Sequence, residues 1–272
     1  MRMLPAVLLG LLAAGSLAGG ELTAGWQALA GYRADEALKI FAAGARAPDP
    51  AVAREARLGQ AVALLAKQPV TAGQVDEARR VCTALADGGP DDPALAARFL
   101  LGRIAQHHQE RPDPAEAARQ FRRLIAAAEA STWAQSALSR LALLQLYALD
   151  LARPPAERIA AAEKLLAQAH VPAVAGELHV ALAEAIFFYR LPGAQALPHL
   201  LAAERLGGTD RVGRADVLVQ IAELSRLAGN RAQAAKYYRQ FLQENPRDSA
   251  NYTARRRLAD MEAPPAAAPG GR

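Results

Sequence analysis

Histidine, cysteine and paired acidic residues are the side chains of this sequence that could carry chemistry, and they are few. The chain of 272 residues has five histidines and one cysteine. The histidines are His107, His108, His170, His179 and His199. None stands in the His-Glu-x-x-His spacing of a zinc protease or beside a cysteine, so we predict no metal site. The adjacent pair His107 and His108 would point about 100° apart on one helix, which predicts a place on the helix surface.

Motifs for nucleophilic or acid–base catalysis are equally scarce. Cys82 occupies a large apolar position in a helical pattern, so we interpret it as a buried residue, with a reactive thiol as the alternative. The sequence has no Gly-x-Ser-x-Gly nucleophile turn, phosphate-binding loop or dinucleotide fingerprint. The acidic pairs Asp91-Asp92 and Asp35-Glu36 stand at turns, and we expect them to cap helix N-termini. The sequence therefore predicts a protein that is not an enzyme and that needs no cofactor.

The composition indicates an all-α protein. Ala supplies 67 of the 272 residues, whereas aromatic residues make up only 5%. Ala is the strongest helix former, and the β-branched and aromatic residues that favour strands are scarce. A single cysteine excludes a disulfide framework within the monomer. The net charge of +5 is spread along the chain without a dense basic stripe, so we predict no nucleic-acid partner.

The first 18 residues are typical of a secretory signal peptide. A short basic start is followed by an apolar run over residues 4–14, and Ser16 and Ala18 provide the small residues of a cleavage site. The run is shorter than the ~20 residues that span a bilayer. We therefore expect an exported, periplasmic bacterial protein with no transmembrane segment after signal cleavage. An uncleaved signal that anchors the chain to the membrane is the alternative.

A helical pattern recurs six times along the chain. Each copy has an Ala, a larger apolar residue four positions later and an apolar or small residue seven positions later, which share one helix face. The copies are Ala37/Phe41/Gly44, Ala78/Cys82/Leu85, Ala117/Phe121/Leu124, Ala162/Leu166/Ala169, Ala196/Leu200/Ala203 and Ala234/Tyr238/Phe241. Another helical segment precedes each copy, and Gly and Pro punctuate the connections. The sequence thus predicts about six helical hairpins followed by a final helix near residues 249–261.

The last hairpin resembles a tetratricopeptide repeat. The residues that fall on the positions of this family are Ile221-Ala222, Gly229, Ala234, Tyr238 and Pro246, with Leu58-Gly59 and Leu101-Gly102 matching in two earlier hairpins. Ser225 replaces the usual aromatic residue of the first helix, and the hairpins that contain Gly59 and Gly102 are longer than the family pattern. The resemblance implies a right-handed α-solenoid of about six tetratricopeptide-like hairpins plus a C-terminal capping helix.

Three segments follow from these patterns. We predict a signal peptide over residues 1–18, a helical-repeat domain over residues 19–262 and a tail over residues 263–272. The tail consists of Ala, Pro, Gly and a final Arg. It has no apolar period, so we expect it to be disordered.

The resemblance also implies where a partner would bind. In this family the first helix of each hairpin lines the concave face of the solenoid. The family's groove positions correspond in this sequence to Trp26, Phe99, Arg103, His107, Tyr147, Glu184, Phe188 and Glu223. Aromatic and Arg side chains are apt anchors for an extended peptide or a partner helix. The alternative for Phe99, Tyr147 and Phe188 is a place in the core between helices.

The sequence therefore predicts a non-enzymatic scaffold or adaptor of the cell envelope, which binds a partner protein or peptide on its concave face. The alternative is a structural or assembly component whose basic surface contacts an anionic cell-wall or outer-membrane polymer. Modest salt would weaken a contact made by surface charge, because salt screens exposed charges. Binding of one protein in a groove would depend much less on the salt concentration.

Overall fold

The computed structural model describes residues 20–262, and most of these residues are helical. These residues form thirteen α-helices and two short 3₁₀ helices and contain no strand. The all-α class predicted from the composition is confirmed. None of these helices is both long and apolar enough to cross a membrane. The predicted signal peptide (residues 1–18) and the predicted tail (residues 263–272) lie outside the described residues.

The chain divides into two compact units, and the division falls inside one helix, after Leu144. The first unit contains α1 (Gly20–Ala30), α2 (Ala34–Gly44), α3 (Pro50–Ala66), α4 (Ala72–Asp87), α5 (Asp92–His107), α6 (Pro114–Ala127) and most of α7 (Thr132–Tyr147). The second unit contains the end of α7, then α8 (Pro155–Glu163), α9 (Pro172–Phe188), α10 (Ala196–Leu206), α11 (Arg211–Leu227), α12 (Arg231–Glu244) and α13 (Asn251–Glu262). The 3₁₀ helices Lys164–Gln168 and Gly193–Gln195 follow α8 and precede α10, respectively.

Helices that are adjacent in the chain pack against each other within each unit. In the first unit α1 to α6 pack in consecutive order, and α3 also contacts both α1 and α5. In the second unit α8 to α13 pack in the same consecutive order. The connections are short, which makes consecutive helices antiparallel neighbours. Each unit therefore buries the apolar stripes of its helices against one another.

The acidic pairs begin two helices in different ways. Asp91 caps α5, where its carboxylate accepts a hydrogen bond from the backbone N–H of Ala94 at 3.0 Å. This cap is as predicted. The other pair, Asp35 and Glu36, lies in the first turn of α2, and Arg33 holds the cap position without a side-chain hydrogen bond. Carboxylates in a first turn still stabilise the helix, because they face the positive end of its dipole.

The first two residues of each Ala-led triplet build the core, with one local correction. The leading Ala of every triplet is buried. In the fourth triplet, however, Leu165 is buried instead of the predicted Leu166. The α-helix ends there at Glu163 and continues as a 3₁₀ helix. A 3₁₀ helix has three residues per turn, so the position three residues after Ala162 faces the core.

Glycines in the predicted Leu-Gly pairs allow aromatic rings to lie directly against two odd-numbered helices. A Cβ atom on Gly59 would lie 2.5 Å from the ring of Phe41, and one on Gly102 would lie 2.5 Å from the ring of Phe121. Atoms do not pack this closely, so a side chain at either position would push the helices apart. The contact at Gly102 fixes the part of α5 that carries Arg103.

Candidate partner-binding surface

All eight predicted binding residues lie on odd-numbered helices, divided between the two units. They are Trp26 on α1, Phe99, Arg103 and His107 on α5, Tyr147 on α7, Glu184 and Phe188 on α9, and Glu223 on α11. The first four belong to the first unit and the last four to the second unit. Each unit therefore presents its own set of candidate side chains.

Two predicted anchors of the first unit, Trp26 and Phe99, are buried in its core. Trp26 is 2% exposed and stands edge-on to Phe41, with ring centroids 4.9 Å apart. Phe99 is 3% exposed, and its ring centroid lies 5.7 Å from those of both Phe121 and Trp133. These contacts correspond to the core alternative for Phe99. Both rings hold helices together and do not line an open face.

Arg103 follows Phe99 by one helical turn and is buried without an anionic partner. It is 7% exposed, and within residues 20–262 its one hydrogen bond runs from Nη1 to the side-chain oxygen of Gln106 at 3.2 Å. Burial, together with the positive charge of Arg140 on α7, lowers the pKa of Arg103 to about 10. Buried charges normally lie beside a counter-charge. This guanidinium therefore has capacity for an anion from outside the chain.

Two histidines continue this group at the end of α5. His107 is the last residue of the helix and His108 is its C-cap. Partial desolvation of His107, followed by the charges of Arg103, His108 and Arg140, lowers its pKa to about 4. Burial, followed by the charge of Arg103, also lowers the pKa of His108. Both imidazoles are therefore neutral at pH 7, and we call Arg103, His107, His108 and Arg140 the Arg103 cluster.

In the second unit, three of the four predicted residues lie together. Phe188 is 67% exposed, and its ring stands edge-on to that of Tyr147 with centroids 5.3 Å apart. Tyr189 contacts both rings, at 4.9 Å from Phe188 and 6.1 Å from Tyr147. Burial, followed by the negative charge of Glu184, raises the pKa of Tyr147 to about 12. We call Tyr147, Glu184, Phe188 and Tyr189 the aromatic patch.

Arg158 on α8 holds the base of the aromatic patch. It is 7% exposed, and its Nη1 donates to the carbonyl of Leu146 at 3.1 Å and to the hydroxyl of Tyr189 at 3.0 Å. Its guanidinium also lies 4.6 Å from the centre of the Tyr189 ring. Leu146 is in the last turn of α7, so the positive charge faces the negative end of that helix dipole. These contacts fix Tyr189 and, through it, the exposed ring of Phe188.

Glu223, the fourth predicted residue of the second unit, is bound within that unit. Its carboxylate accepts a hydrogen bond from the hydroxyl of Tyr238 on α12. It also pairs with Arg226 at 2.8 Å and with Arg257 of α13 at 3.6 Å. The network ties α11, α12 and α13 together, which gives Glu223 a structural role.

The second unit also brings together two histidines that the sequence patterns do not connect. Nδ1 of His179 on α9 lies 3.0 Å from Nδ1 of His199 on α10, and Nε2 of His199 lies 3.3 Å from the carboxylate of Glu163. Helical periodicity relates residues within one helix, so it cannot pair side chains from the two arms of a hairpin. Among residues 20–262, no group of three or more His, Cys, Asp and Glu side chains is arranged to hold a metal ion.

Two further features of the first unit lack the geometry of a reactive site. Cys82 is fully buried in α4, and burial raises the pKa of its thiol to about 12, in agreement with its interpretation as a buried residue. A cleft of about 480 Å³ between α4, α5 and α6 is lined by charges of both signs. At its edge Arg98 donates to the carbonyl of Ala86, and Glu116 accepts from Arg119, so both charges are already bonded within the unit.

No protein-family model matches this sequence, and neither does any curated protein. The functional interpretation therefore depends on the Arg103 cluster and the aromatic patch. The first offers a desolvated positive charge and imidazole N–H groups. The second offers an exposed ring on a fixed base. Such groups are suited to binding.

Proposed function

We propose that this chain is a non-enzymatic scaffold of the bacterial cell envelope that binds a partner protein or peptide through its odd-numbered helices. The observation that carries the proposal is the aromatic patch, in which Phe188 is 67% exposed while Tyr147 and Tyr189 contact its ring. Rigid aromatic side chains are the commonest anchors of protein interfaces. A partner that covers the ring gains about 25 cal/mol for each Å² of apolar surface removed from water.

We infer further that the helices form tetratricopeptide-like hairpins stacked into a right-handed solenoid. The packing of Phe41 on Gly59 and of Phe121 on Gly102 supports this inference, because small residues at these positions let the hairpin helices approach closely. The odd-numbered helices would then line the concave face. Small-angle X-ray scattering tests the arrangement. A solenoid gives a radius of gyration well above the ~18 Å of a compact globule of this length, and a value near ~18 Å would contradict it.

The proposal includes export from the cytoplasm. Residues 1–18 support it by their basic start, apolar run and small-residue cleavage site. Mass spectrometry of the chain from a periplasmic fraction should find an N-terminus near residue 19. A full-length chain in the membrane fraction would favour the uncleaved anchor, and a full-length chain in the cytoplasm would overturn export.

Substitution of Phe188 tests the binding function. The tagged mature chain is cross-linked in envelope extracts, and we expect one dominant protein to be captured by the wild type and lost in Phe188→Ala. Tyr252→Ala is the matched control, because Tyr252 on α13 is 75% exposed and its removal deletes a comparably exposed ring. Capture in this control should equal that of the wild type.

Two results would contradict the proposal. Equal capture by the wild type and by Phe188→Ala would show that the aromatic patch does not contact the partner. Sedimentation of the chain with purified cell-wall or outer-membrane polymer, reversed by modest salt, would instead favour the structural alternative, because screened surface charge would carry that contact.

A further inference from the structure

Arg103 lacks the compensation that a buried charge requires. It is 7% exposed, and among the described residues it forms one hydrogen bond, to the neutral side chain of Gln106. A guanidinium that loses its hydration without gaining a carboxylate costs stability. A ligand that supplies an anion would offset this cost.

We propose that the Arg103 cluster binds a carboxylate on an acidic segment of the partner protein. The inference rests on the proposed scaffold function, since that function supplies a protein as the ligand. The inference specifies how the first unit would recognise that protein, namely through a carboxylate, and it assigns this carboxylate contact to Arg103 on α5.

The free edge of the guanidinium matches a carboxylate. Nη1 of Arg103 is used by Gln106, which leaves Nε and Nη2 as two parallel donors. Two parallel N–H groups bind the two oxygens of a carboxylate in a planar, bidentate pair. Nε of Arg158 is sealed from solvent without a partner, whereas no nitrogen of Arg103 is both sealed from solvent and unpartnered. The free edge of Arg103 therefore keeps contact with solvent.

The narrow access to Arg103 favours an amino-acid side chain as the ligand. Because the residue is 7% exposed, the incoming anion has to extend inward on a slender stem. Glu and Asp carry a carboxylate on such a stem, whereas a sugar-phosphate polymer that lies on the surface carries bulkier groups. His107 follows Arg103 by one helical turn on α5, and a neutral imidazole there has one N–H to donate.

Calorimetric titration with defined peptides tests the proposal. The probes are a blocked hexaglutamate peptide and, as its uncharged counterpart, a blocked hexaglutamine peptide. We expect the wild type to bind hexaglutamate and not hexaglutamine. Arg103→Met should weaken hexaglutamate binding by about tenfold or more, because it removes the charge-assisted pair and keeps the apolar stem.

A second arginine of the same unit provides the matched control. Arg123 on α6 is exposed, so Arg123→Met removes the same charge from the surface. Its affinity for hexaglutamate should stay within about twofold of the wild type, because exposed charges are screened. If Arg103→Met does not fold, Arg103→Gln removes the charge while keeping a polar side chain and carries the same test.

Several results would overturn the proposal. Equal affinity of the wild type and Arg103→Met for hexaglutamate would place peptide binding elsewhere. Inorganic phosphate that displaces hexaglutamate at equal concentration would make the cluster a general anion site. Partner capture that depends on Phe188 but not on Arg103 would leave the scaffold function standing and remove this inference. Conversely, Arg103-dependent peptide binding without any captured partner would support the cluster and contradict the scaffold function.

Discussion

Two arginines, one in each unit, are equally buried but differently held. Arg103 and Arg158 are both 7% exposed. Arg158 donates to the Leu146 carbonyl and the Tyr189 hydroxyl and stacks on the Tyr189 ring, whereas Arg103 donates only to Gln106 within the described residues. Oxygen dipoles and an aromatic face replace much of the water that Arg158 loses on folding. Equal burial therefore accompanies a self-contained set of contacts in one unit and, in the other, a guanidinium for which we have proposed an external anion.

The largest expected effect is the loss of stability in Arg158→Met. This change removes two charge-assisted hydrogen bonds and the cation–π contact, and we expect the free energy of unfolding to fall by about 2 kcal/mol or more. Denaturant unfolding measures it. Arg153→Met is the control, because Arg153 is exposed and its pairing with Asp150 at 3.7 Å is a surface contact. Equal free energies of unfolding for Arg158→Met and Arg153→Met would contradict the structural role of Arg158.

The next effect tests how α5 is positioned in the first unit. Gly102→Ala places a methyl group 2.5 Å from the ring of Phe121, and overpacking of this kind costs about 1–3 kcal/mol. Gly73→Ala on α4 is the matched control, because nothing lies within 4 Å of its new methyl group. That substitution should raise stability by about 0.5 kcal/mol. If thermal unfolding of the two variants is alike, the close contact between α5 and α6 is wrong.

A smaller effect, of opposite sign to that at Arg158, is expected for Arg103→Met. The substitution deletes a desolvated charge and keeps an apolar stem, so the free energy of unfolding should stay unchanged or rise by about 1 kcal/mol. Gln106 is half-buried and can replace the lost hydrogen bond with water. Denaturant unfolding beside Arg158→Met checks the prediction, and a fall of ~1 kcal/mol or more would show that Arg103 has a structural role.

The smallest effect is a dependence of stability on pH. The pKa values of His107 and His108 in the first unit and of His179 in the second are lowered, chiefly by burial. As the pH falls below about 6.5, the unfolded chain takes up protons before the folded chain does, so the free energy of unfolding decreases toward about pH 4. The double substitution His107→Gln/His108→Gln removes two of the three imidazoles whose pKa is lowered. This variant should therefore lose less stability on acidification than the wild type.

Chemical denaturation at about pH 7.5 and about pH 5 makes this comparison. Burial raises the pKa values of Glu55 and Glu184, so these two carboxyl groups increase the stability of the folded chain as the pH falls. Because their effect opposes that of the histidines, the wild type and the double variant have to be compared at both pH values. Identical pH dependence of the two proteins would show that the two histidines at the end of α5 are not desolvated in the folded state.

Much of the fold could be predicted from the sequence because its signals are local. Ala and a large apolar residue at helical spacing predict one buried face, and Ala37 with Phe41 and Ala117 with Phe121 form such faces. Pro and Asp at the connections predict where helices begin, as at Asp91. The prediction of Leu166 as the buried residue was wrong, because periodicity assumes 3.6 residues per turn and the chain tightens to a 3₁₀ helix there.

The candidate site was less predictable because it depends on which residues other helices cover. The family positions indicated Phe99 and Phe188 alike, yet Phe99 is 3% exposed and Phe188 is 67% exposed. Arg103 was predicted as a groove residue, but its burial without a carboxylate follows only from the packing of its neighbours. The approach of His179 to His199 depends on the register of one hairpin, which the sequence alone does not define.

The most direct measurement is the shift in melting temperature that an acidic peptide produces in the wild type and in Arg103→Met. A ligand that binds the folded state alone stabilises it in proportion to the logarithm of its concentration over Kd. We predict that hexaglutamate at about ten times its wild-type Kd raises the Tm of the wild type and of Arg123→Met by similar amounts and raises the Tm of Arg103→Met much less. An equal rise in all three proteins would contradict the assignment of Arg103 as the ligand-binding arginine.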